Sequence, residues 1–163
     1  MQTRLAFPLR LPTFNVALGY RVKLSSRSEY GIRALLELAQ RRGQGPIQSR
    51  EIAERQAIPD AYLNQLLLIL RKAGLVQSVR GPAGGHLLAR EPERITMAEV
   101  IGALEGLPHF EQNSGAEVNS DSWAVRWVCG EIDEAVARVL REITLETLLT
   151  RKQARENILT YQI

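Results

Sequence analysis

The chain has 163 residues, of which 45% are hydrophobic, and a formal net charge of +3. This length suits one domain, or one and a half, with enough apolar residues to form a real core. The single cysteine excludes an intrachain disulfide and suits a reducing compartment, and no apolar run approaches the ~20 residues that span a membrane. We therefore expect a cytoplasmic protein with no membrane partner.

The first 21 residues differ from the rest, since they contain three arginines and no acidic residue. Pro8, Pro12 and Asn15 interrupt their apolar runs, which excludes a secretory leader. A basic organelle-targeting leader has a similar composition. We favour a start at Val22, because GTG encodes Val inside a gene but Met at a bacterial start. Residues 1–21 are then expected to be an over-called, disordered extension.

A first helix is predicted from Ser25 to Arg42, with Ser25 or Ser26 as its N-cap and Gly43 beyond its end. Two shorter helices follow. Ser49 is the start signal of the earlier one, which Ala57 closes. Asp60, behind the helix breaker Pro59, is the predicted cap of the later one.

The later helix has two distinct faces. Leucines recur at helical spacing and are predicted to face the core, namely Leu63, Leu66, Leu67 and Leu70. Asn64 and Gln65 lie between them, near the exposed beginning of the helix. Asn and Gln side chains can bond the N6 and N7 atoms of adenine in pairs, so this helix is a candidate for reading base edges.

A hairpin with a glycine-rich tip comes next. Strands are predicted over residues 76–80 and 86–89, around the turn residues 81–85. Arg80 lies beside the tip, where a guanidinium can reach a phosphate or enter a narrow minor groove. Two helices followed by such a hairpin describe a winged helix-turn-helix, which reads duplex DNA. The predicted fold class is mainly α with a small β-hairpin wing.

Charge is divided between the two halves of the chain. Residues 22–94 hold 12 Lys and Arg against 7 Asp and Glu, a net charge of +5. Residues 95–163 hold 6 against 11, a net charge of −5. The half with the predicted DNA-reading elements is therefore basic, and the acidic half is expected to point away from phosphate.

The C-terminal half contains a long helix, predicted from Ser122 to Glu142. Thr96 and Glu99 have capping-box spacing and start a short helix to Leu104. The predicted organisation is a winged domain over 22–106, a loop over 107–121, and a dimerisation helix with a last helix over 122–163. The long helix carries an apolar stripe that we assign to a homodimer interface; packing within one chain is the alternative. The assigned residues are Trp123, Val125, Val128, Ile132, Val136, Val139 and Ile143.

These pieces resemble the Rrf family of bacterial winged-helix regulators. The resemblance covers about residues 22–150, and its most specific part is the wing. The matching motifs are 24–34, 52–54, 58–59, 62–63 with Gln65, 70–76, 78–82, 84–85, Leu88, 95–96 and 143–145.

The resemblance implies a homodimer built on the long helix, bound to a pseudo-palindromic operator in double-stranded DNA. It places the recognition helix in the major groove, the wing arginine Arg80 in the minor groove, and Asn64 at the base-discriminating position. The residues expected to contact DNA are Ser25, Arg27, Ser49, Arg50, Asp60, Ala61, Tyr62, Asn64, Gln65, Arg80 and Gly81.

The chain departs from those family members that hold a 2Fe–2S cluster. They carry three cysteines in the loop before the long helix, and the corresponding positions here include Asn113 and Trp123. A cluster centre needs about four ligands, and Cys129 is the single cysteine. His86 and His109 lie too far apart to form a metal motif. We expect no cofactor, no metal site and no catalytic residues.

The sequence therefore predicts a dimeric, cluster-free transcriptional repressor rather than an enzyme. Cys129 is an inert buried thiol in one interpretation and a redox sensor in another. An alternative function is a protein-interaction module acting with a cysteine-synthesis enzyme, which the resemblance to the family's cysteine-metabolism repressor allows. A further partner, such as a regulatory protein or a small-molecule effector, stays open, and so does the sensed signal.

Overall fold

The computed structural model describes residues 23–106 and 120–160, so the predicted extension 1–21 and nearly all of the predicted loop 107–121 lie outside it. The described ranges are mainly α-helical with one antiparallel hairpin, which confirms the predicted fold class. The elements are α1 Ser26–Gln40, α2 Ser49–Gln56, α3 Asp60–Lys72, β1 Val76–Val79, β2 Gly85–Leu88, α4 Met97–Glu105, α5 Ser120–Glu142 and α6 Leu145–Thr160. None of the helices in these ranges is both long and apolar enough to cross a bilayer.

The core of the winged domain is formed where α1 and α3 pack together. Leu63, Leu66, Leu67 and Leu70 are buried, as their spacing predicts. They pack with Ala34, Leu35 and Leu38 of α1 in the same cluster of buried side chains. Burial of a Leu side chain stabilises the fold by about 1.5–3 kcal/mol, so this ridge fixes α3 firmly on α1.

The predicted caps of α2 and α3 are each displaced by one residue. Gln48 and Pro59 occupy the N-cap positions, and neither makes a side-chain cap hydrogen bond. Ser49 and Asp60, predicted as the start signal and the cap, are instead the first helical residues. A carboxylate in the first turn still interacts favourably with the positive end of the helix dipole, which explains Asp60 at this position.

The turn between α2 and α3 depends on Ala57. This residue closes α2, as predicted, in the left-handed conformation with φ +49°. Its N–H donates to the Ala53 and Glu54 carbonyls, and the Ile58 N–H donates to the Ala53 carbonyl at 3.0 Å. The left-handed region costs a residue with a Cβ about 1–2 kcal/mol, so the turn holds Ala57 in a strained conformation.

A polar network holds the end of α2 against α1. Glu37 is only 5% exposed, and Gln56 Nε2 donates to its Oε2 at 2.8 Å. Arg33 of α1 donates to the Gln56 carbonyl oxygen, and Arg55 Nε lies 3.7 Å from Glu37 Oε1. A buried carboxylate needs such partners, so this network stabilises the position of the α2 end on α1.

The wing is a two-stranded hairpin extended by one residue of the α1–α2 connection. β1 and β2 pair in the register Val76 with Leu88 to Val79 with Gly85. Ile47 pairs with His86 on the free side of β2, with backbone hydrogen bonds of 3.0 and 2.8 Å. A Cβ on Gly85 would lie 2.4 Å from the Ile47 carbonyl oxygen, so this approach requires glycine.

The predicted capping box at the start of α4 is confirmed. The Thr96 hydroxyl accepts from the Glu99 N–H at 3.3 Å, and Glu99 Oε2 accepts from the Thr96 N–H at 3.0 Å. Met97 N–H then donates to the Ile143 carbonyl and Leu145 N–H to the Ile95 carbonyl, both at 2.8 Å. These bonds attach the junction of α5 and α6 to the winged domain.

We predict that Ala57→Gly raises the free energy of unfolding by about 0.5–1 kcal/mol, because glycine adopts positive φ without a Cβ clash. Chemical denaturation measures the change. Ala53→Gly is the matched control, since the same substitution inside α2 should lower stability by about 1 kcal/mol or more. Equal destabilisation by the two variants would show that Ala57 is not strained.

Candidate nucleic-acid interface

The exposed face of α3 presents the predicted base-reading side chains. Asn64 and Gln65 are exposed, on the side of α3 away from the buried leucines. Asn64 Nδ2 donates to Asp60 Oδ2 at 3.3 Å, so Asp60 orients the amide from the preceding turn. Ala61 is also exposed beside them. This face therefore offers two exposed amides beside the small Ala61, which suits entry into a major groove.

Arg80 lies at the end of β1, where the hairpin turns. It is exposed, and Gly81 follows it with φ +113°, a conformation that favours glycine. A Cβ on Gly84 would lie 2.2 Å from the Val79 carbonyl oxygen, so the tip is held tightly by its own backbone. The tip is consequently compact, and Arg80 is exposed beside it.

The other predicted contact residues lie at the beginnings of helices or beside them. Ser49 and Arg50 form the first turn of α2, and Arg50 Nε lies 3.0 Å from Glu54 Oε1. Tyr62 is half-buried against Tyr30, with ring centroids 6.0 Å apart and an edge-to-face geometry. Tyr62 thus has a packing role in α3, whatever its hydroxyl contacts.

Ser25 and Arg27 belong to the N-terminus of α1. Ser25 caps that helix by accepting from the Ser28 N–H at 3.1 Å, as predicted. Its hydroxyl also donates to Glu105 at the end of α4, as does Ser28 Oγ at 2.6 Å. These two hydrogen bonds and the charge of Arg27 lower the pKa of the Glu105 carboxyl. Ser25 therefore has an internal partner that the sequence did not reveal, while Arg27 is exposed.

Ion pairs divide the cations of the winged domain into two groups. Six arginines pair with carboxylates of the scaffold: Arg33, Arg41, Arg42, Arg50, Arg55 and Arg90. Within residues 23–106 and 120–160, the other six cations of this domain make no such ion pair, namely Lys23, Arg27, Arg71, Lys72, Arg80 and Arg94. Three of these six, Arg71, Lys72 and Arg80, lie on α3 and at the turn of the hairpin, so unpaired positive charge is available beside the candidate base-reading face.

A cleft between α3 and the hairpin contains residues that the sequence reasoning missed. Its volume is about 260 Å³, and it is lined by Asn64, Leu67, Leu68, Arg71, Ser78 and His86. Burial, together with the charge of Arg71, lowers the pKa of His86. The wing glycines indicated a hairpin but not which of its side chains would face α3. No local sequence signal brings Arg71, Ser78 and His86 together, because only the packing of the hairpin beside α3 does so.

The predicted interface stripe on α5 is largely exposed. Val125 is 64% exposed, Ile132 54% and Val139 51%, and Val128 and Val136 lie beside them. Ile143 differs, since it is half-buried and packs against the core. Trp123 lies nine residues, about two and a half turns, before Ile132 and so projects from the opposite side of α5. The two tryptophans, Trp123 and Trp127, are both exposed.

The side chains of this chain offer few ligands for an iron–sulfur cluster. Cys129 is the single cysteine in the sequence, and it is half-buried within α5. Among the residues that the structure describes, no three or more His, Cys, Asp or Glu side chains form a group suited to a metal ion. A cluster centre takes about four ligands, chiefly thiolates, so the cysteines of this chain do not fit one.

Comparison with known proteins places the chain among bacterial regulators. The sequence profile of the Rrf2 family, described as an iron-dependent transcriptional regulator, matches residues 24–151. The regulator CymR of Bacillus subtilis is 38% identical over 130 residues, which cover 78% of this chain and 89% of CymR. The regulator IscR of Xenorhabdus nematophila is 37% identical over 134 residues, which cover 81% of this chain and 82% of that IscR.

Solved structures agree with these sequence matches. CymR of B. subtilis, described as the global cysteine regulator, has a TM-score of 0.67 and 37% identity, covering 80% of this chain and 98% of that one. IscR of T. potens has a TM-score of 0.66 and 39% identity, and the match covers 80% of this chain and 88% of that one. These names describe transcriptional regulators, so they do not favour an interaction module that acts with a biosynthetic enzyme.

Proposed function

The chain belongs to the Rrf2 family of winged-helix transcriptional regulators, and from this premise we propose that it is a homodimeric repressor of a pseudo-palindromic operator. The observation that carries the DNA-binding geometry is the placement of unpaired cations. Arg71, Lys72 and Arg80 have no carboxylate partner among the described residues, whereas six other arginines of the winged domain are paired. Phosphate neutralisation is the main source of affinity for DNA, so this face is suited to bind it.

In the proposed complex α3 enters the major groove and the wing enters the neighbouring minor groove. Asn64 reads a base edge, with Asp60 holding its amide in place at 3.3 Å. Arg80 enters the minor groove, where narrow A·T-rich segments carry an enhanced negative potential. Ser49, Arg50 and Gln65 lie on the same helix-turn-helix and provide further contacts. A winged domain over residues 22–106 performs this recognition.

The dimer is proposed to form through α5. Five aliphatic side chains of its stripe are 39% to 64% exposed, which is a large apolar surface for one helix. A second copy covers such a surface symmetrically, and a two-fold dimer presents two recognition helices to two half-sites. Repression follows when such a dimer occupies a promoter.

We also propose that DNA binding by this chain does not depend on a cluster. The family is described as iron-dependent, but Cys129 alone does not provide the thiolates that a 2Fe–2S centre requires. The sensed signal therefore differs from one read through a cysteine-ligated cluster, and an effector or a regulatory protein takes that place.

Arg80→Ala should weaken DNA binding by about 1–3 kcal/mol and reduce the salt slope of the affinity by about one unit, because one guanidinium leaves the minor groove. Asn64→Ala should instead relax the preference at one base pair in each half-site with little change in slope. Titrations at several salt concentrations, on duplexes with single base changes, measure both. A uniform loss from Asn64→Ala and no loss from Arg80→Ala would refute this docking.

Ile132→Glu should convert the dimer to a monomer, because it places a charge in the middle of the apolar stripe. Loss of the second half-site then lowers affinity for a full operator by at least about a hundredfold. Sedimentation velocity and gel shift measure the two effects. Arg138→Glu is the control, since it adds the same carboxylate to α5 outside the stripe and should stay dimeric. A dimeric Ile132→Glu variant would exclude this interface.

Protein purified without oxygen should be colourless, contain no stoichiometric iron or sulfide, and bind its operator equally well before and after treatment with a chelator. Absorption spectra, iron and sulfide assays and gel shift provide these measurements. Visible charge-transfer bands that scale with iron content would contradict the proposal and would require ligands other than cysteine.

A further inference from the structure

The cleft between α3 and the wing faces the place where a DNA strand would pass. Neighbouring major and minor grooves of a duplex are separated by one sugar-phosphate strand. If α3 occupies one groove and Arg80 the next, that strand runs across the space between α3 and the hairpin. The space is the cleft of about 260 Å³ that Asn64, Arg71, Ser78 and His86 line.

The chemistry of the cleft suits a phosphate. No acidic side chain lines it, and its apolar part comes from Leu67 and Leu68. The Arg71 guanidinium has no carboxylate partner in the described ranges, whereas Arg50 and Arg55 of α2 are both paired. A guanidinium without a competing carboxylate can form strong charge-assisted hydrogen bonds with a phosphate.

The hairpin supplies a second donor through a pair of side chains. Ser78 Oγ lies 3.2 Å from His86 Nδ1, and the two residues face each other in the register of β1 and β2. When the Ser78 hydroxyl donates to Nδ1, the proton of the neutral ring is on Nε2, which is then a donor. The backbone bridge to Ile47 holds the main chain of His86 in the wing, and the Ser78 hydroxyl orients its ring.

We propose that Arg71 and His86, with Ser78 holding the imidazole, form a binding site for one DNA phosphate between the two grooves. This proposal rests on the proposed function, since it names a further contact of the same interface. The site contacts the DNA backbone from two sides. Arg71 of α3 provides the cation, and His86 of the wing provides an uncharged hydrogen-bond donor. The site thereby fixes the distance between base reading by Asn64 and groove insertion by Arg80.

The test uses the full chain and a short duplex selected by the wild-type protein from a random-sequence library, with an unrelated duplex beside it. Arg71→Gln should lower affinity about tenfold on both duplexes and reduce the salt slope by about one unit. His86→Phe keeps the size of the ring but removes its donor, and should lower affinity several-fold with an unchanged slope. Preference for the selected duplex should persist in both variants.

Ethylation interference locates the phosphate. In the wild type, ethylation of the phosphate between the two contacted grooves should block binding in each half-site, and this block should weaken in Arg71→Gln. Lys72→Gln is the matched control, because it removes the same charge one residue further on, outside the cleft. Ethylation of this phosphate should block binding of Lys72→Gln as strongly as it blocks the wild type. Gln77→Ala is the matched control for the substitutions in the wing, because Gln77 is exposed in β1 and lies outside the lining of the cleft. It should keep the wild-type interference pattern.

Thermal melts of all variants verify folding, and Ser78→Ala replaces His86→Phe if the latter melts early. The phosphate site would be overturned if Arg71→Gln kept the wild-type interference pattern and bound DNA as tightly as Lys72→Gln does. The proposed function would remain intact in that case. A wild-type protein that selects no duplex would overturn the proposed function and this site together.

Discussion

The winged domain depends on one packing arrangement, in which the leucine face of α3 is buried against α1. Leu63, Leu66, Leu67 and Leu70 are all at most 1% exposed, so the centre of the core and the recognition element are the same helix. The leucine face carries the stability of α3, whereas its exposed face adds little. Substitutions on the exposed face can therefore change DNA recognition without unfolding the protein.

Charge pairing adds a second constraint on the same surface. An arginine already bonded to a carboxylate must give up that partner before it binds phosphate, which reduces the net gain. The scaffold pairs, such as Arg41 with Glu51, keep six arginines occupied. The hydrogen bond from Arg41 also lowers the pKa of Glu51, which favours the carboxylate form that accepts this bond. In the proposed complex, the cations without a competing carboxylate would therefore gain most from binding phosphate, and a paired arginine such as Arg50 would gain less.

Much of this architecture could be predicted because its signals are local. The capping box of Thr96 and Glu99, the glycine tip of the wing and the periodicity of α3 each involve residues within one or two turns of each other. The N-caps were harder to place. Ser49 and Asp60 were predicted to mark the starts of α2 and α3, but each is the first helical residue and the N-cap is the residue before it. A favourable residue type in the first turn does not distinguish the cap from the position after it.

Contacts between residues distant in sequence could not be predicted. Ser25 bonds Glu105 across 80 positions, and Ile47 joins the wing through backbone atoms that any residue carries. The proposed phosphate contacts of Arg71 and His86 could not be predicted for the same reason. Each has an ordinary sequence context, in a helix end and a strand, and only the packing of the hairpin beside α3 brings them to one cleft.

The junction between the winged domain and α5 decides how far apart two recognition helices can lie in a dimer. Met97 N–H bonds the Ile143 carbonyl, Leu145 N–H bonds the Ile95 carbonyl, and the Leu145 side chain is fully buried. Two backbone bonds beside a buried anchor leave α5 little freedom to turn at its C-terminal end. With α3 fixed on the same core, a two-fold axis through the α5 stripe would set the spacing between the two α3 helices. Half-site spacing in the operator would then be a property of this junction rather than of the residues that touch DNA.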